Sequence, residues 1–307
     1  MLLLALSSIF QSLNVIDFYF QSKVISKFTV YANFVVLLLS SIIKILLILT
    51  KQPLLFFVLM FLIDAIILSL GLFIFYQKQE RNLLNWKFKI PIAKELLSDS
   101  WPSILAGLMI TIYMKIDQVM IKEMLSETQV GLYSAAVRIS EAWYFIPMAI
   151  TSSIAPNITS SKLTNEELYK SRLKQLYRIM FIISIGISII ITFTADFIIL
   201  NLYGTDYILS AEVLLIHIWA SVFVFIGVAN SQWLLNENLL IFGTINTSIG
   251  AFANMGLNLL LIPIIGINGA AWATLISYML SAYFCLLLFN KTRPSFFHIS
   301  SSVYKWL

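Results

Sequence analysis

The sequence predicts an all-α integral membrane protein with about nine transmembrane helices. Hydrophobic residues make up 60% of its 307 residues and charged residues only 11%, whereas a soluble domain is about half apolar and about a quarter charged. Apolar windows recur from end to end, and a window of about 20 residues crosses about 30 Å of hydrocarbon as a helix. Strands of a membrane barrel would instead alternate apolar and polar residues, about ten at a time.

The apolar windows give the predicted spans in order: 2–20, 28–49, 53–76, 99–121, 130–155, 179–200, 209–235, 239–262 and 267–289. Lys and Arg concentrate in four clusters between these windows, at 23–27, 78–94, 162–178 and 291–305. All four clusters fall on one side if the spans alternate, and the positive-inside rule makes that side cytoplasmic. The C-terminus is then predicted inside and Met1 outside.

Two basic connections organise the predicted chain. The stretch 77–98 is interrupted by Pro91 and separates three spans from six. The stretch 157–178 is typical of an amphipathic surface helix, capped by Thr164 or Asn165. Its apolar face toward the membrane is predicted to hold Leu168, Leu173 and Leu176.

Four charged residues of the stretch 113–143 lie inside the two apolar windows there: Lys115, Asp117, Arg138 and Glu141. A charge within a span costs at least about 2.5 kcal/mol unless it is paired or faces water. Counted from a turn near Ser126, Asp117 and Arg138 lie at comparable depth in an antiparallel helix pair. Lys115 and Glu141 also match in depth, so the charges either form interhelical ion pairs or line a cavity.

The cavity interpretation gives Arg138 the leading role, because its planar guanidinium suits a phosphate group. Arg138 and Glu141 are three residues apart and share one helix face with Ser134. Lys115 is a cavity candidate too, although snorkelling of its long side chain to the outer surface is the favoured account. Asp117, Lys115, Arg138 and Glu141 together form the predicted substrate-binding set.

Other polar residues stand within the predicted spans. Asp64 is alone near the middle of its span, which makes it a candidate for a proton or cation site or for a hydrogen-bonded structural role. His217 titrates near neutral pH when unperturbed, but a neighbouring helix more often satisfies such a residue. Lys44 is predicted to snorkel. The remaining set shares one helix face and favours interhelical hydrogen bonds over sugar binding: Asn246, Asn254 and Asn258.

The sequence lacks the motifs that are typical of several classes of chemistry. The single cysteine, Cys285, excludes an intramolecular disulfide and a thiolate metal cluster. Neither a GxxxxGK[ST] loop nor an HExxH motif occurs, and no Ser, His and Asp set can be proposed from spacing. We therefore predict no catalytic residues, no metal site and no cofactor. The net charge of +5 reflects the basic loops, so nucleic acid is not an expected partner.

Four stretches resemble Wzx-type polysaccharide flippases, the O-antigen and exopolysaccharide transporters of the MOP (MATE-like) superfamily. The stretches are IDFYFQSKVISKF at 16–28, KIDQVMIKEMLSETQVGLYSAAVRISEAWYFIPMAITSSIAPNI at 115–158, SQWLLNENL at 231–239 and NMGLNLLLIPIIGINGAAWATLISY at 254–278. Their order and spacing together are specific, and the resemblance runs along essentially the whole chain.

The resemblance implies half of one six-helix lobe followed by a complete six-helix lobe. Residues 1–76 would be the remainder of the N-terminal lobe, 77–98 the cytoplasmic linker, 99–290 the C-terminal lobe and 291–307 a cytoplasmic tail. The first three helices of the family pattern are expected to be missing. In the last helix pair, Pro263, Gly266 and Gly269 are predicted to form a tight turn, with Ala270, Ala271 and Ala273 allowing close helix approach.

The resemblance further implies a flippase that is not an enzyme. It would move undecaprenyl-diphosphate-linked oligosaccharide across the bacterial inner membrane for O-antigen, lipopolysaccharide or capsule biosynthesis. Implied partners are the lipid-linked oligosaccharide, membrane lipids, a coupling cation (H⁺ or Na⁺) and other polysaccharide-assembly proteins. Asp64 and His217 are the ion-coupling candidates. The alternatives are a MATE-like cation-coupled drug exporter, a membrane glycan polymerase or ligase, and a truncated fragment without function.

Overall fold

The computed structural model describes residues 2–23, 25, 27–79 and 86–304, and these residues are almost entirely helical, with no strand among them. Arg81 and Lys305, which belong to two of the basic clusters, lie outside the described residues, as does Met1. The helices in chain order are α1 Leu2–Gln11, α2 Val15–Ser22, α3 Lys27–Leu49, α4 Leu54–Lys78, α5 Ile90–Met124, α6 Glu127–Glu141, α7 Phe145–Thr164, α8 Glu166–Tyr203, α9 Leu209–His217, α10 Ala220–Asn236, α11 Leu240–Ile265, α12 Ile267–Ala282 and α13 Arg293–Tyr304.

Each predicted apolar window coincides with a helix or with two helices joined by a short interruption. Six segments combine the length and the hydropathy of a membrane span: 27–49, 54–78, 166–203, 209–236, 240–265 and 267–287. The other three windows correspond to α1–α2, to α5 and to α6–α7. The described part of the chain therefore confirms a multi-pass all-α membrane protein with about nine spanning segments.

The chain divides into two compact units, Met1–Glu95 and Leu96–Leu307. The division lies within the predicted linker 77–98, while the assignment of 1–76, 99–290 and 291–307 to lobes and tail stays a prediction. In the first unit, a small core of Ile16, Phe20 and Leu72 packs α2 against α4. The Ser69 hydroxyl donates to the Phe10 carbonyl over 2.6 Å and joins α4 to α1.

The second unit contains two larger apolar cores. One packs α6, α9 and α12 around Tyr133, Val213 and Ala270. The other packs α8 against α10 around Tyr177 and Phe225. Small side chains allow the close packing of α11 against α12, because a Cβ atom at Gly269 would lie 2.4 Å from the Leu261 carbonyl oxygen. Gly266 takes a φ of +61° at the turn between these helices, as a residue without a side chain can.

The connection at 157–178 differs from the predicted surface helix. α7 continues to Thr164, and Asn165 then caps α8 by accepting the backbone N–H of Leu168 over 3.0 Å. α8 is one helix of 38 residues. Leu173 and Leu176 are buried in the protein core, so the prediction that they face the membrane is wrong. Helical spacing places both residues on the face of α8 that packs against α10.

Two spanning segments of the second unit are interrupted. A short 3₁₀ stretch, Ala142–Tyr144, separates α6 from α7. The turn at 218–219 separates α9 from α10. A 3₁₀ stretch within a long helix often marks a hinge or a strained sequence. Neither interruption contains glycine or proline, and the apolar windows gave no sign of either.

Candidate functional site

A buried carboxylate stands at the centre of the second unit. Asp117, on α5, is only 4% exposed. Its Oδ2 atom accepts hydrogen bonds from the Tyr133 hydroxyl at 2.7 Å and from the Thr274 hydroxyl at 2.5 Å. Its Oδ1 atom accepts the Asn258 amide at 2.6 Å. Four helices, α5, α6, α11 and α12, therefore meet at this single side chain.

Two helical hairpins bring these residues together. Ser126 begins α6, where its side chain accepts the Gln129 backbone N–H over 3.3 Å, and a Ser followed three residues later by Gln is a capping signal. This cap places Asp117 and Tyr133 at similar distances on either side of the turn. The turn at Gly266 lies midway between Asn258 and Thr274 in the sequence and places them side by side.

The amides of α11 extend the polar site, which we call the Asp117 cluster: Asp117, Tyr133, Asn254, Asn258 and Thr274. Asn254 Oδ1 accepts the Asn258 amide over 3.0 Å, and the Asn254 amide reaches Thr274 over 3.5 Å. The predicted interhelical hydrogen bonds are thus present at Asn254 and Asn258. Asn246 is also buried, but its Oδ1 atom has no hydrogen bond within the described chain, nor has Asn258 Oδ1.

A narrow recess opens beside the Asp117 cluster and has space for about one water molecule. Tyr113 and Tyr278 form one wall, with their ring centroids 4.7 Å apart. The buried Tyr113 hydroxyl has no hydrogen bond to the described residues. Glu141 is half-buried and also lines the recess. The full lining is Tyr113, Met114, Asp117, Tyr133, Val137, Glu141, His217, Thr274 and Tyr278.

The structure separates the four charges that the sequence grouped. Asp117 and Glu141 line the recess, whereas Arg138 and Lys115 are exposed and do not. An ion pair of Asp117 with Arg138, one of the two alternatives for these charges, is absent from the described residues, because neutral groups donate hydrogen bonds to both oxygens of the Asp117 carboxylate. Tyr133, Val137 and Glu141 recur at four-residue steps and share one face of α6, while Arg138 is about 100° further around the helix.

Lys115 and Glu141 lie near enough for their charges to interact. No hydrogen bond or ion pair joins Lys115 or Arg138 to another described side chain. Arg138 is 11 residues beyond Glu127, the first residue of α6, which places it about 17 Å along the helix. The surface formed by Lys115, Arg138 and Glu141 is therefore charged well inside a spanning segment, and we call it the charged face.

His217 is buried at the end of α9, beside the interruption between α9 and α10. Its Nδ1 atom and the Ser140 hydroxyl of α6 are 2.9 Å apart, and the tautomer decides which one donates. Its ring meets that of Tyr133 edge to face, with 6.1 Å between centroids. A neighbouring helix thus satisfies the imidazole, as predicted for a lone intramembrane histidine.

Asp64 occupies a different environment in the first unit. Its Oδ2 atom accepts the Ser40 hydroxyl at 2.9 Å and the Lys44 ammonium at 3.2 Å. The expectation that Asp64 stands alone is therefore wrong, and Lys44 does not simply snorkel. Lys44 is five residues before the end of α3, and its long side chain reaches back across to α4. The sequence reading placed both residues correctly within spans but did not pair them.

The fold and the site define a multi-pass helical membrane protein with a polar cluster buried inside one helical unit. A profile of the family described as polysaccharide biosynthesis protein matches residues 1–212, more than half of the chain, so the chain belongs to that family. This membership confirms the resemblance noted in the sequence. A search of curated proteins returned no match.

Solved structures of the MOP superfamily share the fold. The structure described as "Lipid II flippase MurJ, inward closed conformation" aligns with a TM-score of 0.62 and 16% identity over 75% of this chain and 50% of that chain. An outward-facing multidrug resistance MATE family transporter gives a TM-score of 0.57 and 17% identity over 80% of this chain and 56% of that one. A crystal structure of a MATE mutant aligns with a TM-score of 0.58 and 15% identity, again over 80% of this chain and 56% of that chain. The chain thus spans about half the length of these structures.

Tyr133 and Thr274 are the site residues that the sequence interpretation missed. Both are common types in membrane helices and carry no charge, so neither stood out. The signal was positional: Tyr133 matches Asp117 in depth when residues are counted from Ser126, and Thr274 matches Asn258 when they are counted from Gly266.

Proposed function

We propose that this protein works in a flippase that moves undecaprenyl-diphosphate-linked oligosaccharide across the bacterial inner membrane, for surface polysaccharide such as O-antigen or capsule. The charged face carries this proposal. Lys115 can snorkel to the outer surface, but an arginine exposed deep within a spanning helix and without an ion-pair partner is stabilised where it meets water or an anion. A guanidinium offers a planar fork of donors that matches phosphate oxygens, which suits Arg138 to the diphosphate.

The remaining polar groups of the charged face fit the same substrate. Lys115 adds a second cation next to Arg138's helix, and Glu141 presents an acceptor for sugar hydroxyls. In this proposal the oligosaccharide crosses along the charged face while the lipid tail stays in the bilayer. The basic loops and the C-terminus lie on the cytoplasmic side, as the distribution of Lys and Arg favours. The protein makes and breaks no covalent bond, and the other polysaccharide-assembly proteins supply and consume its substrate.

Replacing Arg138 tests the flippase proposal in cells that express the protein from its own gene. We expect Arg138→Ala to abolish surface polysaccharide and Arg138→Lys to retain part of it, because lysine keeps the charge but loses the fork. The measurements are polysaccharide at the cell surface and protein in the membrane fraction. Lys122→Ala is the matched control, since Lys122 is an exposed cation at the end of the same hairpin. Normal polysaccharide in Arg138→Ala would contradict the role of Arg138.

We further propose that the coupling cation, a proton or a sodium ion, binds at the Asp117 cluster rather than at Asp64 or His217. Asp117 has no cationic partner among the described side chains, whereas Asp64 already contacts the Lys44 ammonium. The surrounding atoms are mainly oxygens, which hard cations prefer. Asn258 Oδ1 is buried and lacks a hydrogen bond within the described chain, so it is free to turn toward a cation.

Ion dependence tests this second proposal. Transport measured in membrane vesicles should respond to a sodium or proton gradient in the wild-type protein and lose that response in Asp117→Asn. Asp64→Asn should keep the response. The opposite pattern would place coupling in the first unit.

A MATE-like drug exporter is the second candidate function, and the acidic and aromatic residue types around the recess favour it. Asp117, Glu141 and the two tyrosines Tyr113 and Tyr278 suit an organic cation better than a diphosphate. Deleting the gene distinguishes the two functions. Loss of surface polysaccharide with unchanged drug sensitivity supports the flippase, and raised sensitivity to cationic drugs with normal polysaccharide supports the exporter.

A further inference from the structure

Two interruptions of spanning helices lie next to each other in the second unit. α6 ends at Glu141 and gives way to the 3₁₀ stretch Ala142–Tyr144. α9 ends at His217, before the turn at 218–219. Ser140 stands one residue before the end of α6, and its hydroxyl contacts the His217 ring. The two helices are therefore joined at the point where each of them is interrupted.

Two carbonyl groups at the interruption between α9 and α10 also have side-chain partners. The Ser140 hydroxyl lies 3.5 Å from the His217 carbonyl oxygen, and the Ser188 hydroxyl of α8 donates to the Ile218 carbonyl oxygen over 3.3 Å. A broken helix is tolerated inside a membrane when side chains such as serine hydroxyls form hydrogen bonds with its backbone groups. The interruption between α9 and α10 is consequently held in place by contacts with α6 and α8.

A continuous series of contacts leads from the buried carboxylate to this point. Asp117 accepts the Tyr133 hydroxyl, the Tyr133 ring meets the His217 ring, and His217 contacts Ser140. Ser140 comes two residues after Arg138 and directly before Glu141, both of the charged face. Each step is a direct contact between buried side chains, and such a network transmits a change when it has two arrangements.

We propose that Ser140 and His217 are positioning residues that couple the Asp117 cluster to the charged face. A cation at Asp117 competes for the carboxylate oxygen that holds Tyr133, Tyr133 shifts against His217, and the Ser140–His217 contact passes this shift to the end of α6. The interruption at Ala142–Tyr144 then changes the direction of α6 and with it Arg138 and Glu141. This inference rests on the proposed cation site.

The groups that face His217 and Ser140 are Tyr133 and Glu141 on α6, Tyr144 after it, Asp117 on α5 and Tyr278 on α12. None of them forms an ion pair with the imidazole in the described chain. The contact is thus a neutral hydrogen bond, and an asparagine at 217 preserves a polar atom near the Nδ1 position while an alanine does not.

Chemical labelling of residue 142 tests the coupling without a transport assay. The full-length chain carrying Ala142→Cys is purified in lipid nanodiscs and reacted with a water-soluble maleimide, in sodium or in choline and at two pH values. Ala142 is exposed at the interruption, and the native Cys285 is buried. Thr128→Cys, exposed at the start of α6, is the matched control whose rate should not depend on the ion.

We expect the labelling rate at residue 142 to change by about fivefold or more with the ion, the lower range of measured coupling between sites. Ser140→Ala and His217→Ala should remove this change, and His217→Asn should restore most of it. A purely structural role would affect labelling equally in sodium and choline. It would also give no rescue by asparagine over alanine.

The outcomes separate the inference from the proposal beneath it. If Ser140→Ala and His217→Ala keep the wild-type ion response while Asp117→Asn loses it, the cation site stands and the coupling role is overturned. If the wild-type protein shows no response, or Asp117→Asn keeps it, the cation site fails and the coupling role fails with it. If asparagine at 217 behaves as alanine in folded protein, the hydrogen bond is not the coupling element.

Discussion

The two intramembrane aspartates are stabilised in different ways. Asp64 has a cation and one hydroxyl as partners, and its side chain is 23% exposed beside a Lys44 side chain that is 40% exposed. Asp117 is almost fully buried and has only neutral partners, two hydroxyls and an amide. A carboxylate paired with lysine has its charge balanced within the protein. A carboxylate held by neutral donors has no cationic side chain beside it among the described residues, so it can accept a cation from outside the protein.

This comparison predicts the largest effect for removal of the Asp117 carboxylate. Asp117→Leu should lower the free energy of unfolding by at least about 3 kcal/mol, because three buried donors each lose a partner at about 1–3 kcal/mol apiece. Asp117→Asn should cost much less, since an amide oxygen still accepts a hydroxyl and the Asn258 amide can rotate. Unfolding of the purified protein in mixed micelles measures both. Equal losses in the two variants would show that shape, and not hydrogen bonding, dominates the site.

The ion pair of the first unit should give an intermediate effect. Lys44→Met leaves Asp64 with one hydroxyl partner and should cost about 2–4 kcal/mol, somewhat less than a fully buried pair because both side chains are partly exposed. The double variant Lys44→Met with Asp64→Leu should regain most of that loss, because no unpaired charge remains. The unfolding measurement on both variants checks this. A double variant as unstable as the single one would contradict the assignment of the loss to an uncompensated charge.

The exposed ion pair of Lys122 with Glu127 should contribute the least to stability of the three sites. Its atoms are 3.0 Å apart, closer than those of Lys44 and Asp64, yet both side chains are more than half exposed. Lys122→Ala should leave the free energy of unfolding nearly unchanged, because water and salt screen such a pair. Repeating the measurement at high salt should shrink the difference further. A loss as large as that of Lys44→Met would mean that exposure does not govern these pairs.

The sequence predicted the spanning segments well because membrane insertion depends on a property that is summed along the chain. Apolarity over about 20 residues suffices to place a helix, whatever its neighbours are. The interruptions at 142–144 and 218–219 were not predicted, since they contain neither glycine nor proline and depend on contacts with other helices. Leu173 and Leu176 were assigned to the wrong surroundings for a related reason: lipid and protein core are both apolar.

The site was predicted only in part. Asp117, Glu141 and His217 were singled out by type, and the α11 asparagines by their four-residue spacing. Their partners could not be read from the chain, because Asn258 and Thr274 are 141 and 157 residues away from Asp117. Of the two alternatives for the charges around Ser126, the ion pair of Asp117 with Arg138 is not formed, because equal depth does not imply facing sides. Helix rotation decides which side chains meet, and packing of the whole unit sets that rotation.

Gly269 has a consequence for genetic screens of this family member. Any side chain there collides with the backbone of α11 at Leu261, so every substitution should impair insertion or assembly of the last helix pair. A screen scored on surface polysaccharide alone would place Gly269 beside Arg138 among the intolerant positions. Scoring protein abundance in parallel separates them, because variants at Gly269 should vanish from the membrane while variants at Arg138 remain there. Mutational intolerance in this protein therefore marks helix packing and substrate handling alike.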